Sequence, residues 1–476
     1  MTLRLHDTLT RQLVPVEPLQ PAHVRLYTCG PTVWNWVHIG NFRTFIFEDV
    51  LRRGLDHRFD RVTHVMNLTD VDDRIIKNAR DHGNDLEAET AQWIRAFNED
   101  RETLGVRPAH YYPRATEYVE QMVELVERLL ETGAAYESDG SYYFRIAAFP
   151  SYGQLSGVKS EGLVAGASGR VDTDDYQKEE VRDFALWKTV GSEEIGWDTR
   201  IGRGRPGWHI ECSAMSMTLL GESFDIHCGG VDNIFPHHEN EIAQSEAATG
   251  KPFVRIWCHS EHLQVVGEKM AKRTRNFKTV REVLAEGARA SALRYVLAAS
   301  THYRKPLNYS DEPLAAATEA VERLATFRQR VEELQPASGD TGSGDEEALA
   351  SIRSARSGFG DAMDDDLNLP EAMGAVFTAL RDLNRILDTS SIGSETHRAL
   401  RAMLHEVDDV LGVFPLVDRE RASQFEVTED EKELLVARQK ARDEKRWADA
   451  DAIRDELGRR GIQVDDTSDG QRWRRS

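Results

Sequence analysis

Thr28-Cys29-Gly30-Pro31-Thr32-Val33-Trp34-Asn35-Trp36-Val37-His38-Ile39-Gly40-Asn41 is the segment on which the reading of this chain turns. An apolar alternation, Val24 and Leu26, leads into it and reads as a β-strand. Phe42, Phe45, Ile46 and Val50 follow at the spacing of a helix with one buried face. A strand therefore ends at Cys29, the chain turns at Gly30-Pro31, and His38–Asn41 opens a helix. The free amide donors of a helix start are a ready site for phosphate.

Outward from this segment, residues 23–115 alternate strand-like and helix-like stretches. Val62–Thr69 is a second apolar run, and a helix begins near Ile75-Ile76. This rhythm predicts a parallel, doubly wound sheet whose ligands lie beyond the carboxyl ends of its strands. From 116 the texture changes to a helix closed by Gly133, a hairpin about Asp139-Gly140 and a Gly- and charge-rich stretch from Gly153 to Glu180. That block reads as an insertion, because sheet texture resumes at Phe224–Gly230 and Arg255–Cys258. Between them, Pro236 opens a helix through Glu246. Beyond Leu284 the pattern is almost wholly helical, with a flexible linker by composition at 336–345. A last unit carries two helices, a short strand at 461–464 and the basic, aromatic tail Gln471-Arg472-Trp473-Arg474-Arg475.

The expected fold is thus α/β, a doubly wound parallel-sheet (Rossmann-like) domain with an insertion, followed by C-terminal helical domains. The expected boundaries are 1–115 and 206–285 for the two halves of the sheet domain and 116–205 for the insertion. The helical parts are expected at 286–335, 336–426 and 427–476.

With 476 residues, 40% hydrophobic and 30% charged, the composition is that of a globular protein. No apolar run is long enough for a membrane span, and the start lacks a secretory pattern. A cytoplasmic protein is expected. The 81 acidic residues outnumber 60 basic ones, of which only about a dozen are lysine. An acidic, lysine-poor surface fits a halophilic source. Salt shortens the range of the repulsion, so the net charge of −21 does not exclude an RNA partner. The four cysteines, Cys29, Cys212, Cys228 and Cys258, are too few for a disulfide framework.

Three groups of residues carry candidate chemistry. His237 and Glu241, four apart on a helix, share one face, and Cys29 and Cys212 sit at element ends in the same domain. The four are either a tetrahedral metal shell or a solvated helical pair beside two core cysteines. Gly267-Glu268-Lys269-Met270-Ala271-Lys272-Arg273 places two lysines three apart in a loop, suited to polyphosphate or simply to solvent. Gly229-Gly230 with Asp232 suits close approach of a nucleotide sugar, or an ordinary strand-to-helix turn.

Taken together, these residues resemble the cysteinyl-tRNA synthetases, a family of class I aminoacyl-tRNA synthetases. His38-Ile39-Gly40-Asn41 resembles the class "HIGH" signature, and Lys269-Met270-Ala271-Lys272-Arg273 resembles "KMSKS" with Ala271 and Arg273 in place of its serines. Gly207–Met215 and Gly229–Glu241 resemble stretches specific to this one family, as do Asp364–Asn368 and Ala450–Asp455. The resemblance spans essentially the whole chain. It implies ATP-dependent activation of cysteine and transfer of the cysteinyl group to the 3′-terminal ribose of tRNA(Cys).

By resemblance, Cys29, Cys212, His237 and Glu241 hold one Zn²⁺ that selects the substrate thiol, and Mg²⁺ accompanies ATP. Thr69 and Trp208 hold the amino acid. His38, Asn41, Lys269 and Lys272 act in catalysis. Gly40, Gly229, Gly230, Asp232 and Lys272 bind the nucleotide. The implied partners are tRNA(Cys), L-cysteine and ATP, with no membrane, for a chain acting as a monomer. The helical region 286–335 is then the stem contact, 336–426 a bundle on the anticodon side, and 427–476 the anticodon-recognition unit. A cysteine–amino-sugar ligase of mycothiol synthesis shares the activation chemistry but lacks the C-terminal region present here. A non-catalytic RNA-binding paralogue would have no physical reason to keep the whole set.

Overall fold

The computed structural model describes residues 2–158, 183–265, 268–269, 277–337, 341–425, 429–467 and 470–475. At its centre is a four-stranded, wholly parallel sheet in the order Val254–Ser260, Phe224–Gly230, His23–Thr28, Arg61–Met66. From His23–Thr28 the chain crosses through helix Ile39–Asp56 to the neighbouring strand on one side. From Phe224–Gly230 it crosses through helix Glu239–Thr249 to the strand on the other side. The two central strands therefore lead away from each other, and the crevice beyond their carboxyl ends is where doubly wound sheets take ligands. Cys29 follows the end of one, and Gly229-Gly230 ends the other.

Helix Ile39–Asp56 differs from the one-sided amphipathic helix that its spacing predicts. It is buried along nearly its whole length, polar residues Arg43, Glu48, Asp49 and Arg53 included. The sheet covers one side, and helix Ala290–Ala299 packs against another, where Arg43 Nη1 donates to Leu297 O at 3.0 Å. Its N-terminus is capped by His38, whose Nδ1 accepts from Asn41 N–H at 3.0 Å.

The segment expected as an insertion forms helix Val119–Glu131 and a five-stranded antiparallel sheet. Its hairpin turns at Asp139 and Gly140, both at positive φ (50° and 77°), the conformation that a two-residue turn between twisted strands requires. Most of the Gly- and charge-rich stretch, 159–182, lies outside the described residues. The following helices run Asp311–Glu333, Asp345–Asp364, Leu369–Thr389 and Ser394–Leu411.

Two expectations are corrected. The stretch read as a flexible linker is pinned where it is described: Gly342 N–H donates to Asp345 Oδ2 (2.6 Å) and Gly344 N–H to Ser391 O (2.9 Å). Gly342, Ser343 and Gly344 meet the demands of a tight, hydrogen-bonded approach to Ser391 rather than of a tether. The basic end is not a tail but a strand, Gly470–Arg475, paired antiparallel with Ile462–Thr467. Trp473 remains more than one-third exposed upon it.

The chain forms two compact units, Met1–Val413 and Phe414–Ser476. The second has its own small core of Leu435, Leu457, Ile462 and Val464. Among the described residues no helix is long and apolar enough to cross a membrane.

Candidate active site

The turn after the first strand depends on glycine, because a Cβ on Gly30 would lie 1.8 Å from Asn67 O. Gly30 N–H donates to Asn67 Oδ1 and Val33 N–H to Thr69 O, so the turn is stitched to the end of the next strand. This fixes Cys29 over the crevice. On the far side, the chain enters helix Glu239–Thr249 through an irregular turn, Ile234–His238, with Phe235 extended and a cis peptide bond before Pro236. The regular helix thus starts three residues later than Pro236, yet His237 and Glu241 still face one another, Nε2 to Oε1 at 3.1 Å.

Cys29, Cys212, His237 and Glu241 converge: one ligand atom from each lies within 4.8 Å of all the others, and all four residues are buried. Cys29 shares a hydrogen bond with Cys212; burial pushes the Cys29 thiol well up, whereas that bond pulls Cys212 down. Burial raises Glu241 even against His227 and His237. Its Oε2 lies 3.0 Å from His227 Nε2, while Oε1 is buried with no hydrogen-bond partner. An orphaned carboxylate oxygen beside two sulfurs and an imidazole nitrogen, sealed from water, is what a divalent cation satisfies. Two thiols, an imidazole and a carboxylate make a donor set for zinc.

A second group, Cys29, His227, His238 and Glu241, has the same compactness. Its two histidines already have work: His227 holds Glu241 Oε2, and His238 Nδ1 lies 2.8 Å from His259 Nε2. They serve better as supports that orient the ligands. This buried histidine set is what the sequence reading missed. His238 Nε2 lies 3.3 Å from Cys29 Sγ, His259 Nδ1 lies 2.7 Å from Thr8 Oγ1, and His209 Nδ1 lies 3.0 Å from His237 Nδ1. Burial holds His209 and His238 well below their usual range and brings His259 down to about 3, so these rings are neutral. The available signal was a polar residue inside an apolar strand, as at His227 and His259.

Trp208 leans on the cluster, its ring stacked on His237 at 4.5 Å and 27°, and stays 40% exposed. Thr69 is buried, accepts from Asn67 Nδ2 (3.1 Å) and is hydrogen-bonded to Glu211, whose Oε2 has no partner. His38 stands at the head of its helix with its ring edge on Phe277, and Ile39 N–H donates to Lys278 O. Gly40 and Asn41 lie in the first turn of that helix. A Cβ on Gly229 would sit 2.9 Å from His238 Cε1, so this glycine is demanded by the histidine below it. Gly230 has ordinary room, its nearest neighbour at 3.6 Å. Asp232 Oδ1 lies 3.3 Å from His262 Nε2. Lys269 pairs through its backbone with Gln264. Its side chain, and Met270, Ala271, Lys272 and Arg273, lie outside the described residues.

Comparison with known proteins agrees along the chain. Residues 15–319 match the tRNA synthetases class I (C) catalytic domain, 358–415 the DALR domain, and 426–474 the cysteinyl-tRNA ligase anticodon binding domain. The cysteine–tRNA ligase of Solibacter usitatus is 45% identical over 479 residues, covering 100% of both chains. That of Protochlamydia amoebophila is 43% identical over 477 residues, covering 99% of this chain and 98% of its own. Among solved structures, the methionyl-tRNA synthetase of Mycobacterium tuberculosis bound by methionyl-adenylate superposes with a TM-score of 0.57 at 16% identity, covering 83% of this chain and 90% of that one. An Agrobacterium radiobacter LeuRS in a ternary complex with tRNA gives 0.59 at 12%, covering 85% of each. At such identities these two bear on the fold alone. Relatives matched end to end and a family model covering well over half the chain show that this chain belongs to the cysteinyl-tRNA synthetases, the class I enzymes that join cysteine to tRNA at the expense of ATP.

Proposed function

We propose that this enzyme selects cysteine by its sulfur at a zinc site made of Cys29, Cys212, His237 and Glu241. The observation that carries this reading is their mutual approach within 4.8 Å in a fully buried setting. Zinc bound there would accept the substrate's thiolate as an added ligand, a bond that the hard, weakly acidic hydroxyl of serine cannot replace. Discrimination of that kind needs no editing site. The reduced thiols it requires fit a cytoplasmic setting.

Trp208 forms the wall of a small side-chain pocket above His237, and Thr69 holds the amino acid from the opposite strand end. Both readings are supported by their places beside the cluster. The nucleotide lies across the head of helix Ile39–Asp56, with its ribose toward Gly229–Asp232. His38 Nδ1 is spent accepting from Asn41 N–H, so Nε2 carries the proton in the neutral ring, the polarity a phosphate oxygen needs. The helix terminus, with Gly40 and Asn41, adds amide donors.

The cysteine carboxylate attacks the α-phosphorus in line and pyrophosphate leaves. Lys269 and Lys272, read from the sequence pattern, together with His38, meet the charge that develops on the phosphates. A hydroxyl of the tRNA's terminal ribose (the 2′-hydroxyl, by the class I pattern) then takes the cysteinyl group, and AMP leaves. The unit beyond residue 426 reads the anticodon.

The test is cysteine-dependent exchange between ATP and pyrophosphate, run without tRNA and compared with serine, on protein of known zinc content. Exchange with cysteine alone, lost on chelation and restored by zinc, is the expected outcome. Equal exchange with serine, or exchange indifferent to metal removal, overturns the selection reading.

A further inference from the structure

Four tryptophan rings are more than one-third exposed among the described residues: Trp36, Trp208, Trp447 and Trp473. Trp208 belongs to the amino-acid pocket, and Trp447 and Trp473 lie in the C-terminal unit. Trp36 is left, a large apolar ring open to solvent in the catalytic unit. It stands two residues before His38.

Its ring is held in place. The edge-on ring of Trp93 lies at 5.6 Å and 84°, and the Arg281 guanidinium sits over it, 4.4 Å from the centroid. Arg281 is itself fixed by Asp100 Oδ1 (2.8 Å) and Glu99 Oε2 (2.5 Å), so its charge offsets two carboxylates that would otherwise repel a phosphate chain. Arg281 lies two residues after Thr279, which pairs with His38 in an isolated bridge. Trp36 and Arg281 thus sit on the rim where the signature loop meets the segment that follows the lysine loop.

We propose that Trp36, backed by Arg281, is the platform on which the base of the tRNA's 3′-terminal nucleotide stacks during charging. The inference rests on the aminoacylation reading above. In the transfer step, a hydroxyl of the terminal ribose must reach the activated carbonyl, which lies between the Cys29 pocket and the head of the His38 helix. The base is one glycosidic bond from that ribose and has to rest on the rim of the same site. A rigid indole with a cation behind it receives a base by stacking, without needing to read its edge.

The test compares Trp36→Leu, which keeps apolar bulk but loses the ring, with Trp36→Phe, which keeps a π face. Trp36→Leu should lower kcat/KM for charging a tRNA(Cys) transcript by about 5- to 150-fold, the scale of one lost base stack. Trp36→Phe should recover most of that. Trp36→Leu should bind the intact transcript more weakly than wild type, but a transcript lacking its 3′-terminal adenosine equally well. The KM for ATP in pyrophosphate exchange should not move. Unchanged charging, equal weakening toward both transcripts, or a raised KM for ATP (the ring then serving the nucleotide substrate) overturns the proposal. Absence of exchange in the wild-type enzyme would instead overturn the reading on which it rests.

Discussion

Asp49→Asn tests how helix Ile39–Asp56 is held, and with it the placing of His38. Asp49 is buried, and its Oδ2 accepts from Arg53 Nε (2.7 Å) and Arg294 Nη2 (2.6 Å) while Oδ1 accepts from Arg107 N–H (2.9 Å). The two guanidiniums donate onward to carbonyls, Arg294 to Leu411 O and Leu104 O, and Arg53 to Asp409 O and Gly105 O. Leu411 and Asp409 lie in the last turn of helix Ser394–Leu411, whose negative end suits the excess positive charge. Burial pushes Asp49 up, but Arg294 and Arg53 outweigh it and hold its carboxyl below the usual range.

The amide is nearly the same size but neutral, and it turns one acceptor into a donor that faces an arginine. Arg294 is wholly buried and cannot turn to water. Stripping one partner from a buried charge network costs about 3–5 kcal/mol, a large share of a stability of about 5–15 kcal/mol. The expected fall in Tm is about 3–6 °C. Arg356→Ala is the control: its pair with Glu406 is also doubly bonded but exposed, and its loss should cost under about 1 kcal/mol. Because the folded carboxyl titrates below its unfolded value, the wild-type advantage is present at neutral pH. It is lost as pH falls through the folded value, so the two proteins should converge in acid. Thermal unfolding followed by circular dichroism at pH 7 and at the lowest pH at which both refold measures this. Identical melting at pH 7 would refute the reasoning, because the network would then be breaking even.

Cys212→Ser should lose its metal by elemental analysis while keeping a wild-type far-ultraviolet spectrum; full zinc retention would mean the ligand set is wrong. Glu241→Gln should also lose zinc, and His227→Ala should weaken zinc binding by about 10- to 100-fold through the freed carboxylate oxygen. Glu48 is buried with neither oxygen in a well-formed hydrogen bond, only the Thr28 hydroxyl easing it, and burial raises it well above the usual range. A raised carboxyl gives full stability below its unfolded value and loses it as pH rises. Glu48→Gln should therefore gain unfolding free energy over the wild type, by about 1–3 kcal/mol more at pH 8 than at pH 5 in denaturant titrations. Removing residues 414–476, a unit with its own core, should leave pyrophosphate exchange intact and depress tRNA charging; equal loss of both would make the unit structural.

Local pattern carried the architecture far. Strand endings at Thr28 and Gly230, helices such as Ala290–Ala299 and Trp447–Arg459, and the Asp139-Gly140 turn follow from periodicity, caps and φ preferences that act within a few residues. The same holds for the His38 cap, where ring and amide are three positions apart. Side-chain chemistry also named the four metal-ligand candidates, with the family resemblance choosing between a shell and a solvated pair.

Only the folded chain decided whether those four could meet. Cys29 and Cys212 are far apart in sequence: Cys29 follows a strand of the parallel sheet, whereas Cys212 lies within helix Trp208–Leu220 rather than at an element end. Their approach depends on the packing of that helix against helix Glu239–Thr249, a long-range property that no local spacing encodes. The histidines beneath the cluster were hidden for the same reason. His227 and His259 look like misplaced polar residues in apolar strands until Glu241 and His238 are brought over them. The Asp49 network likewise draws partners from 53, 107 and 294, and a helix that reads as amphipathic becomes buried all round because other layers close over its polar side. Elements form from neighbours in sequence; a buried polar site forms where burial leaves a donor or charge no alternative but a partner from elsewhere in the chain.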